Sequence, residues 1–130
     1  MEKDYIYPKE CFAIRGAVFE VHRNIGTGFT EEVYQSALEM EFTLLNIPFH
    51  AQKEFAVSYK GIPLNKTFKP DFVCYDKIIL ELKAVKSLAP EHDAQLINYL
   101  HVANMKLGFL INFHEHPLID PRQILNTHAI

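Results

Sequence analysis

An apolar run near the middle of the chain, KIILELKAV at residues 77–85, most constrains how this sequence can fold. Both the odd-numbered and the even-numbered positions of the run include apolar residues, which is typical of a central strand covered on both faces. Glu81 and Lys83 interrupt it, and strand alternation directs both side chains to one face, about 7 Å apart. Because burial of an unpaired charge is costly, these charges either neutralise each other or belong to a site that needs them.

The presence of Asp71 just upstream favours a functional site over a pair of charges that only neutralise each other. Residues 55–75 read as two extended segments around a turn at Lys60 and Gly61, so that strand pairing can bring Asp71 beside Glu81. Two carboxylates with a backbone carbonyl between them suit a hard divalent cation such as Mg²⁺. A nearby lysine can hold a water or offset the negative charge of a phosphoryl transition state. The alternative is a buried Glu–Lys pair that ties two strands together.

Two helices are predicted before these strands. The first covers residues 8–26 and stops at Gly26, and the second starts at Thr30, which can cap it, and is closed by Pro48. The second helix carries two adjacent apolar stripes. The first stripe consists of Val33, Ala37, Met40 and Leu44, and beside it lie Tyr34, Leu38 and Leu45.

The remaining elements predict an α/β fold. Pro90 opens a third helix over residues 90–104, a short apolar strand follows at 106–113, and the tail after Pro117 adds a final short element. A helix between two strands indicates a parallel crossover. We therefore expect a mixed central β-sheet flanked by helices, in one domain over residues 1–130.

Composition limits the function classes. The net charge is −3, whereas dedicated nucleic-acid binders usually carry a basic excess, so that any such binding needs local patches or a metal bridge. No apolar run approaches the roughly 18 residues of a membrane span, and the start, MEKDYIYPKE, is polar. Cys11 and Cys74 have no C-x-x-C spacing and are expected to be buried thiols. We expect a soluble, cytoplasmic protein.

Three stretches carry a family resemblance. PDFVCYDKIILELK, residues 70–83, resembles the PD-(D/E)xK signature of restriction-endonuclease-like nucleases. GFTEEVY has the G-x-x-E-x-x-Y spacing that names a small family of the same superfamily, and QLINY resembles the Q-x-x-x-Y element of RecB-type and phage-exonuclease-type members. The matching positions are Gly28, Glu31, Tyr34, Asp71, Glu81, Lys83, Gln95 and Tyr99.

The resemblance implies a restriction-endonuclease-like core and a Mg²⁺- or Mn²⁺-dependent nuclease that acts on nucleic acid, most readily DNA. The implied metal ligands are Glu31, Asp71, Glu81 and the backbone carbonyl of Leu82. Lys83 would position the attacking hydroxide, and Gln95 a phosphate or water. Tyr99 and His92 would contact the nucleic acid. Compact nucleases of this class commonly pair to cut two strands, which makes a homodimer a further expectation.

Each of these residues also has a structural interpretation. Glu31 can stabilise its helix by about 0.3–1 kcal/mol through a favourable interaction with the helix dipole, and Glu32 would serve equally. Gln95 and Tyr99 share a helix face as an edge-of-core pair would, and His92 can be a helix residue without a role. For the whole chain the alternative is an inactive nuclease-fold module that binds nucleic acid or a partner protein.

Two other motifs carry no function. GTGF lacks the third glycine of a dinucleotide loop and follows a predicted helix rather than a strand, so an oxidoreductase is discounted. HEH at residues 114–116 falls in a predicted loop without a third metal ligand nearby in sequence, and is interpreted as ordinary loop residues rather than a metal site.

Overall fold

A computed structural model gives the structure of residues 6–118 and 120–127, which form three helices and seven strands. The single-domain prediction also covers residues 1–5, 119 and 128–130, which lie outside the described residues. In chain order the elements are α1 (Pro8–Ile25), α2 (Glu31–Leu44), β1 (Phe49–Ala51), β2 (Phe55–Tyr59), β3 (Ile62–Phe68), β4 (Phe72–Cys74), β5 (Ile78–Lys83), α3 (Pro90–Ala103), β6 (Leu107–Asn112) and β7 (Arg122–Leu125).

The main sheet has five strands in the order β1-β4-β5-β6-β7. Strands β5 and β6 are parallel and joined by α3, whereas the other neighbours are antiparallel. The sheet is therefore mixed and flanked by helices, which confirms the predicted fold class. Strand β7 is the short final element expected after Pro117.

The predicted hairpin exists but lies outside the main sheet. Strands β2 and β3 pair only with each other, around a turn at Lys60 and Gly61, which both have positive φ. Most of their residues are exposed. The strand structure is interrupted at Lys69 and Pro70, before β4 begins. Strands β1 and β4, of three residues each, were too short to be predicted as separate elements.

Two apolar clusters cover the two faces of the sheet. The larger joins α1 and α2 to the sheet, and the smaller joins α3 to it. Leu80 and Leu82 of β5 belong to the larger cluster and Ile79 to the smaller, so β5 is buried on both faces as predicted. Cys11 and Cys74 are both buried, as predicted.

Of the two predicted apolar stripes of α2, the structure buries the one that carries Tyr34 and Leu38. The buried residues of α2 are Tyr34, Leu38 and Phe42, while Val33, Met40 and Leu44 are exposed. The two stripes are adjacent on the helix and similarly apolar, so spacing alone does not separate them. Phe42 decides the orientation, because its ring packs against the rings of Phe49 and Phe72.

The turn between α1 and α2 fixes where α2 starts. Gly26 and Gly28 have φ of 79° and 105°, a conformation that glycine adopts readily. The Tyr34 hydroxyl donates a hydrogen bond of 2.6 Å to the Gly26 carbonyl. Thr30 is at the N-cap position, but its side chain makes no capping hydrogen bond. The carbonyl of Thr30 instead accepts from the Val33 N–H at 3.1 Å.

A close approach of α3 to the sheet depends on Gly108 of β6. A Cβ at this position would lie 2.9 Å from Leu96 Cδ1 and 3.2 Å from the Ile79 carbonyl oxygen. Glycine therefore lets α3 lie directly over the sheet. This packing places Gln95 and Tyr99 of α3 at the side of β5 that carries Glu81.

Candidate active site

Strand pairing brings Asp71 and Glu81 into contact. Strands β4 and β5 are antiparallel, with Phe72 opposite Leu80, so that Asp71 stands where β4 begins and Glu81 where its pairing ends. The two carboxyl groups share a hydrogen bond. Asp71 Oδ2 also accepts from the Leu82 N–H at 2.7 Å. The antiparallel pairing predicted from the sequence thus places two acids side by side.

Burial and charge act on Glu81 in the same direction. Its side chain is only 6% exposed. Burial, followed by the charge and hydrogen bond of Asp71, raises the pKa of Glu81 to about 9, and Lys83 offsets this only in part. A carboxyl group neutralised by an ion pair with Lys83 would have a lowered pKa. The raised pKa therefore argues against a Glu81 carboxylate that Lys83 neutralises.

Glu31 and Lys83 stand next to this carboxyl pair. Glu31 is the first residue of α2, and its Oε2 accepts from the Ala84 N–H at 3.2 Å, just past the end of β5. Its charge raises the pKa of Glu81 further, whereas that of Lys83 lowers it. Lys83 is half-buried, and its backbone carbonyl accepts from the Phe113 N–H at 2.8 Å. Of the two adjacent helix acids, Glu31 reaches the end of β5.

The three predicted residues of α3 differ in their surroundings. Tyr99 is half-buried, and its pKa is raised by burial and by the charges of Glu81 and Asp71. Gln95 is exposed, and its side chain hydrogen-bonds to Tyr99. His92 caps the helix, because its Nδ1 accepts from the Ala89 N–H at 3.0 Å, and its contact with nucleic acid stays a prediction. Gln95 and Tyr99 thus border the site, and His92 has a structural role at the start of α3.

Two glutamines that the sequence did not reveal hold Asp71. Gln35 Nε2 donates to the Asp71 carbonyl at 3.1 Å, and Gln52 Nε2 lies 3.4 Å from Asp71 Oδ1. Gln35 follows Glu31 by one helical turn, and that spacing could have indicated it. Gln52 lies in the loop after β1 and has no such signal. Both line an open cavity of about 300 Å³, together with Glu31, Glu32, Ser36, Asp71 and Leu82.

The oxygen donors around Asp71 and Glu81 suit a divalent cation. Among residues 6–118 and 120–127, no three His, Cys, Asp or Glu side chains converge into a ready metal cluster. Mg²⁺, however, is commonly bound through one or two carboxylates, with waters and substrate phosphates as the other ligands. Asp71 and Glu81 supply two. A cation would offset both the burial of Glu81 and the repulsion from Asp71, which together raise the pKa of Glu81.

The Leu82 carbonyl is available on the same side. The Leu82 N–H faces Asp71, and a strand residue directs its N–H and its carbonyl towards the same neighbour. The pairing of β4 with β5 ends at Leu80. These groups therefore fit Mg²⁺ or Mn²⁺. Glu31 is hydrogen-bonded to Ala84, so its place among the ligands stays a prediction.

A mixed five-stranded sheet between helices, with paired acids and a lysine at the end of its central strand, defines a restriction-endonuclease-like fold. A family model described as the PD-(D/E)XK nuclease superfamily matches residues 8–123, and the chain belongs to that superfamily. Searches of curated proteins and of solved structures found no significant match. Within the described residues, no helix is long and apolar enough to cross a membrane.

Proposed function

We propose that this protein is a metal-dependent nuclease that hydrolyses phosphodiester bonds in DNA. The observation that carries the proposal is the Asp71–Glu81 pair beside Lys83, in which burial first and then Asp71 raise the pKa of Glu81 to about 9. A buried acid with a strongly raised pKa, paired with a second acid that lines a cavity, is typical of a functional site. Membership of the nuclease superfamily supports the reaction class.

The residues of the chain take separate roles in this proposal. Asp71, Glu81 and the Leu82 carbonyl would hold Mg²⁺ or Mn²⁺, with Glu31 completing the set. The bound ion would acidify a water and neutralise charge on the scissile phosphate. Lys83 orients the attacking hydroxide or offsets negative charge, and Gln95 orients a phosphate oxygen or a water. Attack is in line, without a covalent intermediate.

Further assignments belong to the same proposal. We assign the chain to the G-x-x-E-x-x-Y group, supported by the positive φ of Gly28, the position of Glu31 beside β5 and the Tyr34 hydrogen bond that fixes the turn. We assign residues 1–130 to one domain, because both apolar clusters share one sheet. A cytoplasmic location accords with two buried cysteines that are not joined to each other by a disulfide bond. We also propose a homodimer, in which each copy of the chain would cut one of two strands.

The test is cleavage of labelled single- and double-stranded DNA and RNA by purified protein in Mg²⁺ and Mn²⁺, beside the Glu81→Ala variant. We expect metal-dependent cutting of DNA by the wild-type protein and none by the variant, which excludes a contaminating nuclease. Cutting that persists in the variant would contradict the assignment. Cutting of RNA alone would correct the substrate.

The second candidate is a nuclease-fold module without activity that binds nucleic acid or a partner protein. One observation favours it, namely that the described part of the chain lacks a ready cluster of three metal ligands. Absence of both cutting and metal binding would support this candidate over the nuclease.

Gln52 allows a smaller prediction about Asp71. Its backbone has a φ of 58°, so Gln52→Gly removes the side chain while it suits the backbone. We expect kcat to fall by up to about tenfold, because loss of one hydrogen bond of about 0.5–1.5 kcal/mol loosens Asp71. Thermal stability should stay the same or rise.

The matched control for Gln52→Gly is Asn46→Gly, which changes another residue with a φ of 58° at the far end of α2. Stability should respond similarly in both variants, and kcat should fall only in Gln52→Gly. Equal kcat values in the two variants would show that Gln52 does not position Asp71.

A further inference from the structure

The hairpin of β2 and β3, with its flanking residues 53–69, forms an arm attached beside the candidate site. Stacked rings anchor it, with Phe55 and Phe68 centroids 5.3 Å apart and Phe68 and Tyr99 centroids 4.2 Å apart. Burial first, and then the charges of Glu81 and Asp71, raise the pKa of Tyr99, so its ring lies near the paired acids. Strand β3 also continues through Lys69 and Pro70 into Asp71. The root of the arm therefore adjoins the paired acids.

Charge separates the arm from the rest of the molecule. Residues 53–69 contain four lysines and one glutamate, while the remaining sequence has nine basic and 15 acidic residues. Lys60 and Lys66 are exposed. Lys60 Nζ lies 5.5 Å from the centre of the Tyr59 ring, and Lys69 Nζ lies 3.8 Å from Glu54 Oε2 across the surface. The arm is thus a basic segment on an acidic protein.

The end of the arm also exposes apolar side chains. Tyr59, Ile62 and Leu64 are 61%, 66% and 46% exposed. Tyr59 is paired with Ile62 next to the turn that carries Lys60. Exposed aromatic rings interleaved with lysines are typical of surfaces that contact both the bases and the phosphates of nucleic acid.

We propose that this arm binds the backbone of the nucleic-acid substrate and holds it beside the paired acids. The identity of the strand as a substrate rests on the proposed nuclease function. The candidate site itself is acidic, with Glu31, Glu32 and Asp71 lining its cavity, and would repel a polyanion. The lysines of the arm supply the complementary charge, because neutralised phosphates release their counterions.

The test compares two double variants with the same change in net charge. K60Q/K66Q removes two exposed lysines of the arm, and K9Q/K106Q removes two exposed lysines of other elements. Binding of fluorescein-labelled single- and double-stranded DNA is measured by anisotropy in EDTA over a series of salt concentrations. In K60Q/K66Q the slope of log Kd against log salt should fall by about two, because each phosphate contact contributes about one. K9Q/K106Q should keep the wild-type slope.

The apolar end of the arm gives a second measurement. Tyr59→Ala should weaken binding of single-stranded DNA by roughly tenfold, because stacking on an aromatic side chain is worth about 1–3 kcal/mol per base. The salt slope should not change in this variant. Equal slopes in K60Q/K66Q and K9Q/K106Q would overturn the proposal. The proposal would also be overturned if the Ile62→Ser variant sedimented as a smaller species than the wild-type protein and still bound DNA. The arm would then be a contact between two copies of the chain.

The outcomes separate the arm from the nuclease function. Wild-type protein that binds DNA through these lysines but never cuts would support the arm and contradict the nuclease. Protein that cuts, with the same KM in K60Q/K66Q as in the wild type, would support the nuclease and overturn the arm. When both hold, K60Q/K66Q should raise KM.

Discussion

Lys83→Ala is expected to reduce metal-dependent cleavage by at least about 10²–10³-fold, the usual loss when one group that stabilises a transition state is removed. Lys83 ends β5 two residues after Glu81, and its charge lowers the pKa of that carboxyl group. It therefore lies on the side of the sheet where the phosphate would bind. Single-turnover cleavage at saturating Mn²⁺ measures the effect.

Metal binding should survive this substitution, because an ammonium group beside two acids opposes a cation rather than holding it. Titration calorimetry with Mn²⁺ checks this point. Lys86→Ala is the matched control, since Lys86 is an exposed lysine in the loop after β5. Loss of cleavage and metal binding together in Lys83→Ala would mean that the lysine is structural.

Glu81→Gln is expected to abolish cleavage and yet stabilise the metal-free protein. Glu81 is buried beside Asp71, and both effects raise its pKa from 4.5 to about 9. Between these pH values the folded protein retains a proton that the unfolded chain has released. The free energy of unfolding then falls by up to about 1.4 kcal/mol for each unit that the pH rises.

A pH series measures this effect. Below about pH 4.5 Glu81 is protonated in both the folded and the unfolded protein, and it does not lower the free energy of unfolding of the wild-type protein. Above about pH 9 Glu81 is ionised in both states, and the loss in free energy of unfolding is complete. Glutamine does not titrate, so that the stability gained by Glu81→Gln should grow from pH 5 towards pH 9. Urea unfolding in EDTA at several pH values measures it. A gain that is the same at every pH would contradict the raised pKa.

Metal addition and removal give the complementary result. Mn²⁺ should raise the thermal midpoint of the wild-type protein, because a ligand that binds only the folded state stabilises it. EDTA should reverse this shift, and Glu81→Gln should show much less of it. A wild-type protein that Mn²⁺ does not stabilise would favour the inactive binding module.

Much of the site was predictable because it lies on regular elements with fixed geometry. Alternation along β5 put Glu81 and Lys83 on one face, and antiparallel pairing put Asp71 beside them. Glu31 was selected over Glu32 by spacing, and it is the one that reaches Ala84. Gln52 was not predictable, because its contact with Asp71 joins a loop to a strand 19 residues away and leaves no periodic pattern.

The fold shows a similar division. The helix bounds followed from Pro8, Gly26 and Pro90, which act locally on backbone conformation. The orientation of α2 did not follow, because the choice between its two apolar stripes depended on where Phe42 meets Phe49 and Phe72. The capping role of His92 was likewise hidden, since it depends on the turn before α3.

The sequence by itself determined the order of the helices and of the longer strands, the mixed sheet and the residues of the paired acids, because strand and helix periodicities operate over a few residues. Only the tertiary structure decided that the basic hairpin leaves the main sheet and stacks on Tyr99. It alone showed that the pKa of Glu81 rises to about 9. Both depend on contacts between segments distant in the chain, through ring packing in the first case and through burial and charge in the second.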